Sequence, residues 1–301
     1  MPQIGTARFL GISVQPMTMA ALTDTVIERV STNQKSVIAN HNMHSLYLFH
    51  KEAAEGRDGP FQRYFSRAHH THIDGMSIVL LARLYGQPAN RVHRVGYTDW
   101  LPSLMASAVE KNWRVFYLGS APRVVDIGAT TLRERHPGLQ IEYRHGHFDM
   151  DPEGSENKNV LQQIADFQPH LLMVGMGMPR QELWIEANLD GIQAKVILAT
   201  GAVLDYVAGV IPTPPRWSGP LGLEWAFRLA AEPRRLAFRY LIEPWTLVPI
   251  ILRNLTFPEP TLPQTTNYYL EVAATYPYQS RPAQIRPRSS MNEQPLVCVV
   301  I

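Results

Sequence analysis

The 301-residue chain contains little cysteine and little charge. Its single cysteine, Cys298, excludes a disulfide framework and a cysteine-based zinc site, and it suits a reducing compartment. Charged residues make up 18% of the chain, against about 25% in an average soluble protein. The formal net charge of +2 is too small for a typical nucleic-acid-binding protein. We therefore predict that nucleic acid is not a partner.

The sequence also lacks a long apolar run. The nearest to one, residues 196–215, carries Asp205 and is interrupted by glycine and proline. The N-terminus has no basic region followed by an apolar stretch, so no signal peptide is predicted. We expect a protein that does not span a membrane but could lie on one.

Composition divides the chain into three parts. Residues 1–210 form the predicted catalytic body, and hydrophobic residues, 45% of the chain, suffice for a core. Residues 211–255, here called the C-terminal appendage, contain six arginines and three glutamates, a net charge of +3, together with three of the six tryptophans. Residues 256–301 contain seven prolines and are predicted to be a disordered tail.

Within the body, short apolar runs alternate with amphipathic ones, which predicts parallel strands joined by helices. The predicted strands are residues 36–39, 70–73, 91–95, 114–118, 140–144, 170–174 and 195–199. The predicted helices include residues 100–111, 122–135, 159–167 and 180–189. The fold class is therefore α/β, a Rossmann-like, mostly parallel sheet with helices on both faces and a helical appendage. Such sheets bind ligands beyond the carboxyl ends of their strands.

Three polar side chains follow the first two of these strands. Asn40 and Asn42 could contact a sugar hydroxyl or a uracil edge, although asparagine also caps helices. Asp74 could act as a general base, since burial raises a carboxyl pKa, or it could cap the next helix. His70 and His72 share a strand face with Asp74, but so compact a set needs further ligands, and we predict no metal site.

Later strand ends carry arginine and glycine. Arg94 could pair with Asp99 or contact a diphosphate. Gly119 precedes a helix and could help to bind phosphate, although most strand–helix turns look alike. Gly175 and Gly177 precede a helix that contains Glu182, but a third glycine and a ribose-binding acid are missing, which disfavours NAD. A nucleotide diphosphate or its sugar remains possible there.

The C-terminal appendage places arginines beside aromatic residues. Arg228, Arg235 and Arg239 share a face if the helix is continuous, although Pro233 is expected to start a new helix. A basic aromatic surface is typical of proteins that lie on anionic lipid. The alternative is a helical cap that packs its aromatic residues on the body.

Taken together, these motifs resemble the WecG/TagA/CpsF glycosyltransferases, which form family 26 of the glycosyltransferase classification. The resemblance runs from about Ser36 to Tyr240. It rests on the asparagine-rich strand end, IDGMSIV, RVGYTD, VGMGMPRQELW and the closing PPRWSGPLGLEWAFRLAAEPRRLAFRY, in that order. The chain departs from the family pattern at Asn40, where the family has threonine.

The resemblance implies an inverting, metal-independent hexosyltransferase without a cofactor. It would move a sugar of the N-acetylmannosamine type from a UDP-sugar to a polyprenyl-diphosphate-linked sugar, in cell-surface polysaccharide synthesis. Asp74 matches the family's proposed base, and Asn42, Arg94 and Gln181 match polar residues of its active site. The appendage arginines match the region that binds the membrane and the lipid diphosphate. The expected location is peripheral, at the cytoplasmic face of a bacterial inner membrane, with a homo-oligomer possible.

The sequence leaves three other functions open. The same fold could transfer glucose or glucuronic acid during exopolysaccharide assembly. A non-catalytic nucleotide-binding or scaffold component is a further alternative, although such a protein would have no reason to keep Asp74, Arg94 and Gln181 together. A dehydrogenase ranks third.

Overall fold

The computed structural model describes residues 5–32, 34–55 and 59–256, all of which belong to one compact unit. The strands are β1 (Ala7–Phe9), β2 (Ile12–Val14), β3 (Ser36–His41), β4 (His70–Ile73), β5 (Arg114–Gly119), β6 (Gln140–Arg144), β7 (Leu171–Gly175) and β8 (Val196–Ala199). The α-helices are α1 (Met19–Ser31), α2 (Met43–Ala54), α3 (Pro60–Ser66), α4 (Met76–Leu84), α5 (Tyr97–Glu110), α6 (Pro122–Arg135), α7 (Ser155–Phe167), α8 (Arg180–Asn188), α9 (Val203–Val207), α10 (Glu224–Ala231), α11 (Pro233–Ala237) and α12 (Glu243–Thr256).

Six strands form one parallel sheet in the order β4-β3-β8-β7-β5-β6. Every residue of β3, β7 and β8 is buried, as expected of central strands covered on both faces. The edge strand β6 instead has partly exposed positions. The predicted α/β fold with a mostly parallel sheet is confirmed.

Alternate residues of the central strands belong to two separate apolar layers, one on each face of the sheet. Ile38 and Leu198 pack with Trp100 of α5 on one face of the sheet. Val37 and Ile197 pack with Trp184 of α8 on the other face. Helices therefore cover both faces, and the carboxyl edge of the sheet is left for the site.

One predicted strand is wrong. Residues 91–95 begin with a 3₁₀ turn, Arg91–His93, and only Arg94 makes an isolated parallel bridge, to Ile73. The turn forms because the Asn90 side chain accepts a hydrogen bond from the Val92 backbone N–H, at 3.1 Å.

The β1–β2 hairpin was not predicted from the sequence, and its strands have only three residues each.

The C-terminal appendage is helical, as predicted, and Pro233 begins α11. A π-helical segment, Phe238–Ile242, joins α11 to α12. The appendage contacts the body: His44 Nδ1 lies 2.7 Å from Glu243 Oε2, and Leu247 packs into a third apolar cluster with the hairpin and α4. Within the described residues, no helix is both long and apolar enough to cross a membrane. The predicted disordered tail lies outside the described residues from Phe257 onward.

Candidate active site

The site lies at the carboxyl ends of four adjacent strands. Asn40 is near the end of β3, Asp74 follows β4, and Thr200 follows β8. Gln181 lies in the first turn of α8, after the loop that follows β7. Because these strands are neighbours in the order β4-β3-β8-β7, their loops meet at one edge of the sheet.

Two cavities open at this edge. The first, about 110 Å³, is bounded by the loops after β7 and β8, with Gly177, Gln181, Thr200 and Gly201 among its walls. The second, about 500 Å³, lies between α4 and the C-terminal appendage. Five residues line both cavities: Asn42, Asp74, Arg228, Arg239 and Tyr240. Asp74 is therefore accessible from two separate spaces at once.

Asp74 does not cap a helix. The N-cap of α4 is Gly75, and no side chain caps that helix. Burial raises the pKa of Asp74 to about 6, against the opposing influence of Arg228 and Arg94. Its carboxylate can therefore accept a proton near neutral pH, as a general base must.

The two asparagines have different partners. Asn42 caps α2, because its side-chain oxygen accepts a hydrogen bond from the Ser45 N–H at 3.1 Å. Its Nδ2 atom lies 3.4 Å from Asp74 Oδ2, so this cap also orients a donor toward the carboxylate. Asn40 is buried and donates from Nδ2 to the Ala199 carbonyl at 2.8 Å, which joins β3 to the end of β8.

Arg94 joins the body to the C-terminal appendage. Its Nη1 atom donates to Asp99 Oδ2 at 2.9 Å, which is one of the two contacts that the sequence left open for Arg94. Its Nη2 atom donates to Glu224 of α10. Glu224 in turn accepts from Arg228 Nη2 at 2.5 Å. The Arg94 side chain is only 7% exposed. Its guanidinium therefore lies between two carboxylates, and Arg94 lines the second cavity.

Gln181 holds the two loops of the first cavity together. Its Oε1 atom accepts hydrogen bonds from the Gly177 N–H at 3.2 Å and the Gly201 N–H at 3.0 Å. Its Nε2 atom donates to Glu182 Oε1 at 2.8 Å. Glu182 is almost fully buried, and burial raises its pKa to about 7. Glu182 thus lies behind the cavity wall and contacts Gln181 rather than the cavity itself.

Gly119 and Gly175 face each other on paired strands. A Cβ atom on Gly119 would lie 2.3 Å from the Gly175 carbonyl oxygen, and one on Gly175 would lie 2.0 Å from the Tyr117 hydroxyl. Both glycines are therefore required for close packing at this position. Among the described residues that line the two cavities, neither glycine is found, and Gly177 is.

The three appendage arginines converge on the first cavity. Arg228 and Arg239 line both cavities, and Arg235 lines the first. Arg228 and Arg239 each have a buried Nε atom without a hydrogen-bond partner. Burial lowers the pKa of Arg239, since only weaker influences from Tyr240 and Glu243 oppose it. Arg239 is therefore a poorly compensated cation that favours an anionic ligand, whereas Arg228 is also paired with Glu224.

The histidines near β4 have structural surroundings. His72 is buried against the rings of Tyr97 and Trp100, and burial lowers its pKa to about 4. His70 contacts Arg29, with 3.1 Å between its Nε2 atom and Arg29 Nη2. No group of three His, Cys, Asp or Glu side chains suited to a metal ion occurs in the part of the chain that the structure describes.

Several residues that line the first cavity were not predicted from the sequence. Thr200 and Gly201 directly follow β8, so the strand-end rule that selected Asp74 could have selected them. Tyr206 and Tyr240 come from α9 and the π-helical segment, and Arg228 lies over the Tyr206 ring at 5.4 Å from its centroid. No local pattern marks these two tyrosines, because their position depends on where the C-terminal appendage packs.

Comparison with known proteins shows which sequences this chain is similar to. The sequence is 25% identical over 217 residues to an N-acetylglucosaminyldiphosphoundecaprenol N-acetyl-beta-D-mannosaminyltransferase from Staphylococcus aureus strain NCTC 8325 / PS 47, covering 71% of this chain and 83% of the relative. The protein of the same name from strain MRSA252 is equally similar. The profile described as Glycosyl transferase WecG/TagA/CpsF family matches residues 7–260. The chain is thus a glycosyltransferase and belongs to the WecG/TagA/CpsF family.

Proposed function

We propose that this glycosyltransferase moves a sugar of the N-acetylmannosamine type from a UDP-sugar to a polyprenyl-diphosphate-linked sugar, with Asp74 as the general base. The observation that carries the proposal is the position of Asp74 where the two cavities meet. An acceptor hydroxyl must reach both the anomeric carbon of the donor and a base, and a base where two cavities meet can serve a hydroxyl that enters from one cavity and attacks a donor bound in the other. The names of the two relatives supply the sugar and the lipid class for this proposal.

In the proposed reaction, an acceptor hydroxyl attacks the anomeric carbon of the donor and inverts it. The new bond joins the acceptor oxygen to that carbon, and the bond from the carbon to the phosphate oxygen of UDP breaks. The hydroxyl proton passes to the Asp74 carboxylate. Asn42 Nδ2, 3.4 Å from Oδ2, would orient that carboxylate.

The departing UDP carries negative charge that must be stabilised. We assign this role to Arg228, Arg235 and Arg239 and to the backbone N–H groups of the loops that Gln181 joins. The unpartnered Nε atoms of Arg228 and Arg239 favour the assignment, because a phosphate would supply the missing acceptors. The cations would make the reaction metal-independent.

The C-terminal appendage would also close the site from water, which would limit hydrolysis of the donor.

The lipid-linked acceptor implies work at a membrane surface. We propose a peripheral location at the cytoplasmic face of the membrane, with the exposed aromatic residues of the appendage in contact with anionic lipid. Trp217, Trp225 and Trp245 are 56%, 44% and 73% exposed, which favours this surface over a cap that packs its aromatic residues inward.

The test is UDP release by the purified protein. Four donors are compared, UDP-N-acetylmannosamine, UDP-N-acetylglucosamine, UDP-glucose and UDP-glucuronate, each with and without a short-chain polyprenyl-diphosphate-linked N-acetylglucosamine. Acceptor-dependent release from UDP-N-acetylmannosamine alone is expected. Release from UDP-glucose or UDP-glucuronate alone would assign a different sugar, and absence of UDP binding would contradict the proposal.

The same assay tests the base. Asp74→Asn should lower kcat by at least about 100-fold, because general base catalysis contributes about 10²–10⁴-fold. Asp126→Asn, on the exposed face of α6, is the matched control and should keep full activity. Near-normal turnover by a folded Asp74→Asn protein would show that Asp74 is not the base.

A further inference from the structure

The second cavity combines exposed apolar walls with cations. Its apolar lining includes Met76 and Leu80 of α4 and Leu221 and Trp225 of the C-terminal appendage. Leu80, Leu221 and Trp225 are 58%, 55% and 44% exposed, so the apolar wall continues to the protein surface. At about 500 Å³ the cavity lies within the usual ~300–1,000 Å³ range of ligand sites. Asp74 also lines it and is shared with the first cavity.

Positive charge exceeds negative charge around this cavity. Five arginines line it, Arg83, Arg91, Arg94, Arg228 and Arg239, against two carboxylates, Asp74 and Glu224. Glu224 is engaged by both Arg94 and Arg228, and Arg94 also contacts Asp99. Arg239 lies with Arg228 on the wall shared with the first cavity. These three arginines are therefore occupied by carboxylates or placed beside the leaving group.

Arg83 and Arg91 differ from the other three. Arg83 lies in the last turn of α4 and Arg91 begins the 3₁₀ turn that follows, so both belong to the body. Both are exposed, and neither side chain forms an ion pair with a carboxylate among the described residues. Two free guanidinium groups beside an apolar wall match the chemistry of a prenyl diphosphate, which is a dianionic or trianionic head on an apolar chain.

We propose that Arg83 and Arg91 bind the diphosphate of the lipid-linked acceptor, with the first prenyl units against the apolar wall of the second cavity. The proposal rests on the proposed function and goes beyond it by separating two phosphate sites. The family resemblance implies that the arginines of the C-terminal appendage bind the lipid diphosphate; we instead assign them to the diphosphate of the donor, because all three line the first cavity, and we assign the pair on the body to the diphosphate of the acceptor. One hexose separates the acceptor hydroxyl from its diphosphate, so the cations that hold the diphosphate should lie away from Asp74 along the cavity.

The two sites predict different consequences for different ligands. Loss of Arg83 and Arg91 should weaken binding of the acceptor and leave binding of the donor unchanged. Because the interaction is with a charged group, replacement by lysine should retain more binding than replacement by glutamine.

The experiment uses the full chain with R83Q/R91Q, R83K/R91K and the control Arg123→Gln, an exposed arginine on α6 that lines neither cavity. Isothermal titration calorimetry measures the Kd for farnesyl diphosphate, farnesyl monophosphate and UDP, and steady-state kinetics gives the KM for each substrate. Sedimentation measures binding to phosphatidylglycerol vesicles, which separates a diphosphate site from a lipid headgroup site.

The expected result for R83Q/R91Q is at least a tenfold rise in the Kd for farnesyl diphosphate and in the acceptor KM. The Kd for UDP, the donor KM and vesicle binding should stay within twofold of wild type, and R83K/R91K should recover most of the loss. Wild-type protein should bind farnesyl diphosphate more tightly than the monophosphate.

Three results would overturn the inference. Farnesyl diphosphate could fail to bind the wild-type protein, or bind R83Q/R91Q as tightly as wild type. R83Q/R91Q could lose UDP binding as strongly as farnesyl diphosphate binding, or it could lose only its binding to vesicles. Because farnesyl diphosphate binding is measured without turnover, the inference can hold even if no donor is used, and in that case only the proposed function fails.

Discussion

At the residue scale, opposing influences act on the carboxylate of Asp74. Burial raises its pKa to about 6, while Arg228 and Arg94 favour its charged form. The balance leaves a base that is ionised at neutral pH but still able to take up a proton. An exposed aspartate would be a weaker base, and a fully buried one without cations would stay protonated.

This balance predicts a specific pH profile. Asp74 must be ionised to act, so kcat/KM should rise with pH through an apparent pKa of about 6 and level off above pH 7. The measurement is initial-rate UDP release between pH 4.5 and 8.5, with circular dichroism to verify folding at each pH. A profile that is flat between pH 5 and pH 8 would contradict the assignment. Removing the Arg228 charge, as in Arg228→Gln, should move the apparent pKa upward.

Much of this residue set could be predicted from the sequence, because strand ends are visible as apolar runs followed by polar residues. Asp74 and Asn42 follow strands of this kind and line the cavities, whereas Arg94 lies in a predicted strand that is a 3₁₀ turn in the structure, and it lines the second cavity all the same. The role of Gln181 as a support for two loops could not be predicted, since its partner Gly201 lies 20 residues away in sequence. Glu224 was visible only as one of three appendage glutamates.

At the element scale, α10 is joined to the body through Glu224. This one carboxylate contacts Arg94 from the body and Arg228 from its own helix. The side chains of Arg94 and Glu224 are only 7% and 18% exposed, so the pair is well shielded from solvent. Breaking a fully buried ion pair costs about 3–5 kcal/mol, whereas an exposed pair contributes about 0–1 kcal/mol.

Glu224→Gln should therefore lower the free energy of unfolding by about 1–3 kcal/mol, because Arg94 loses one of its two carboxylates in a partly buried position. Glu232→Gln is the matched control, since Glu232 pairs with Arg235 on the more exposed surface of α11, and its effect should stay below about 1 kcal/mol. Urea denaturation at pH 7 measures both changes. Equal effects of the two variants would mean that Glu224 has no special part in holding α10.

How well each helix or strand could be predicted depended on how regular its sequence pattern is. Helix α6 was predicted with its observed ends, because Pro122 starts it and an amphipathic pattern continues to Arg135. The run at residues 91–95 has strand-like composition, but the Asn90 side chain stabilises a turn there instead. The β1–β2 hairpin was missed because two strands of three residues give too little alternation to detect.

At the scale of the whole molecule, exposed apolar side chains are concentrated in one stretch of the chain. Of the seventeen large apolar residues that are exposed among the described residues, twelve lie between Trp217 and Leu255. The same stretch carries the arginines that enter the site. In the proposed function, the element that contacts lipid would therefore also line the active site, which would link membrane contact to access of the lipid-linked acceptor.

This arrangement predicts that a single surface change separates membrane binding from catalysis. Trp245→Glu, at a side chain that is 73% exposed, should weaken binding to phosphatidylglycerol vesicles at least tenfold. Activity on a short-chain acceptor in solution should stay within twofold, because Trp245 lines neither cavity. Activity on a long-chain acceptor embedded in vesicles should fall with the binding. Ile127→Glu on α6, 50% exposed, is the matched control and should change neither.

A surface of this kind could instead be buried between copies of the chain, and the same variant distinguishes the two arrangements. If the surface faces lipid, Trp245→Glu changes vesicle binding and leaves the sedimentation coefficient in solution as it is. If it faces another copy, the substitution should shift the protein to a smaller species in analytical ultracentrifugation while vesicle binding persists, because a charged side chain at 73% exposure is tolerated by the monomer but not by an apolar interface. The second outcome would contradict the membrane role of the C-terminal appendage and leave the catalytic assignment of Asp74 untouched.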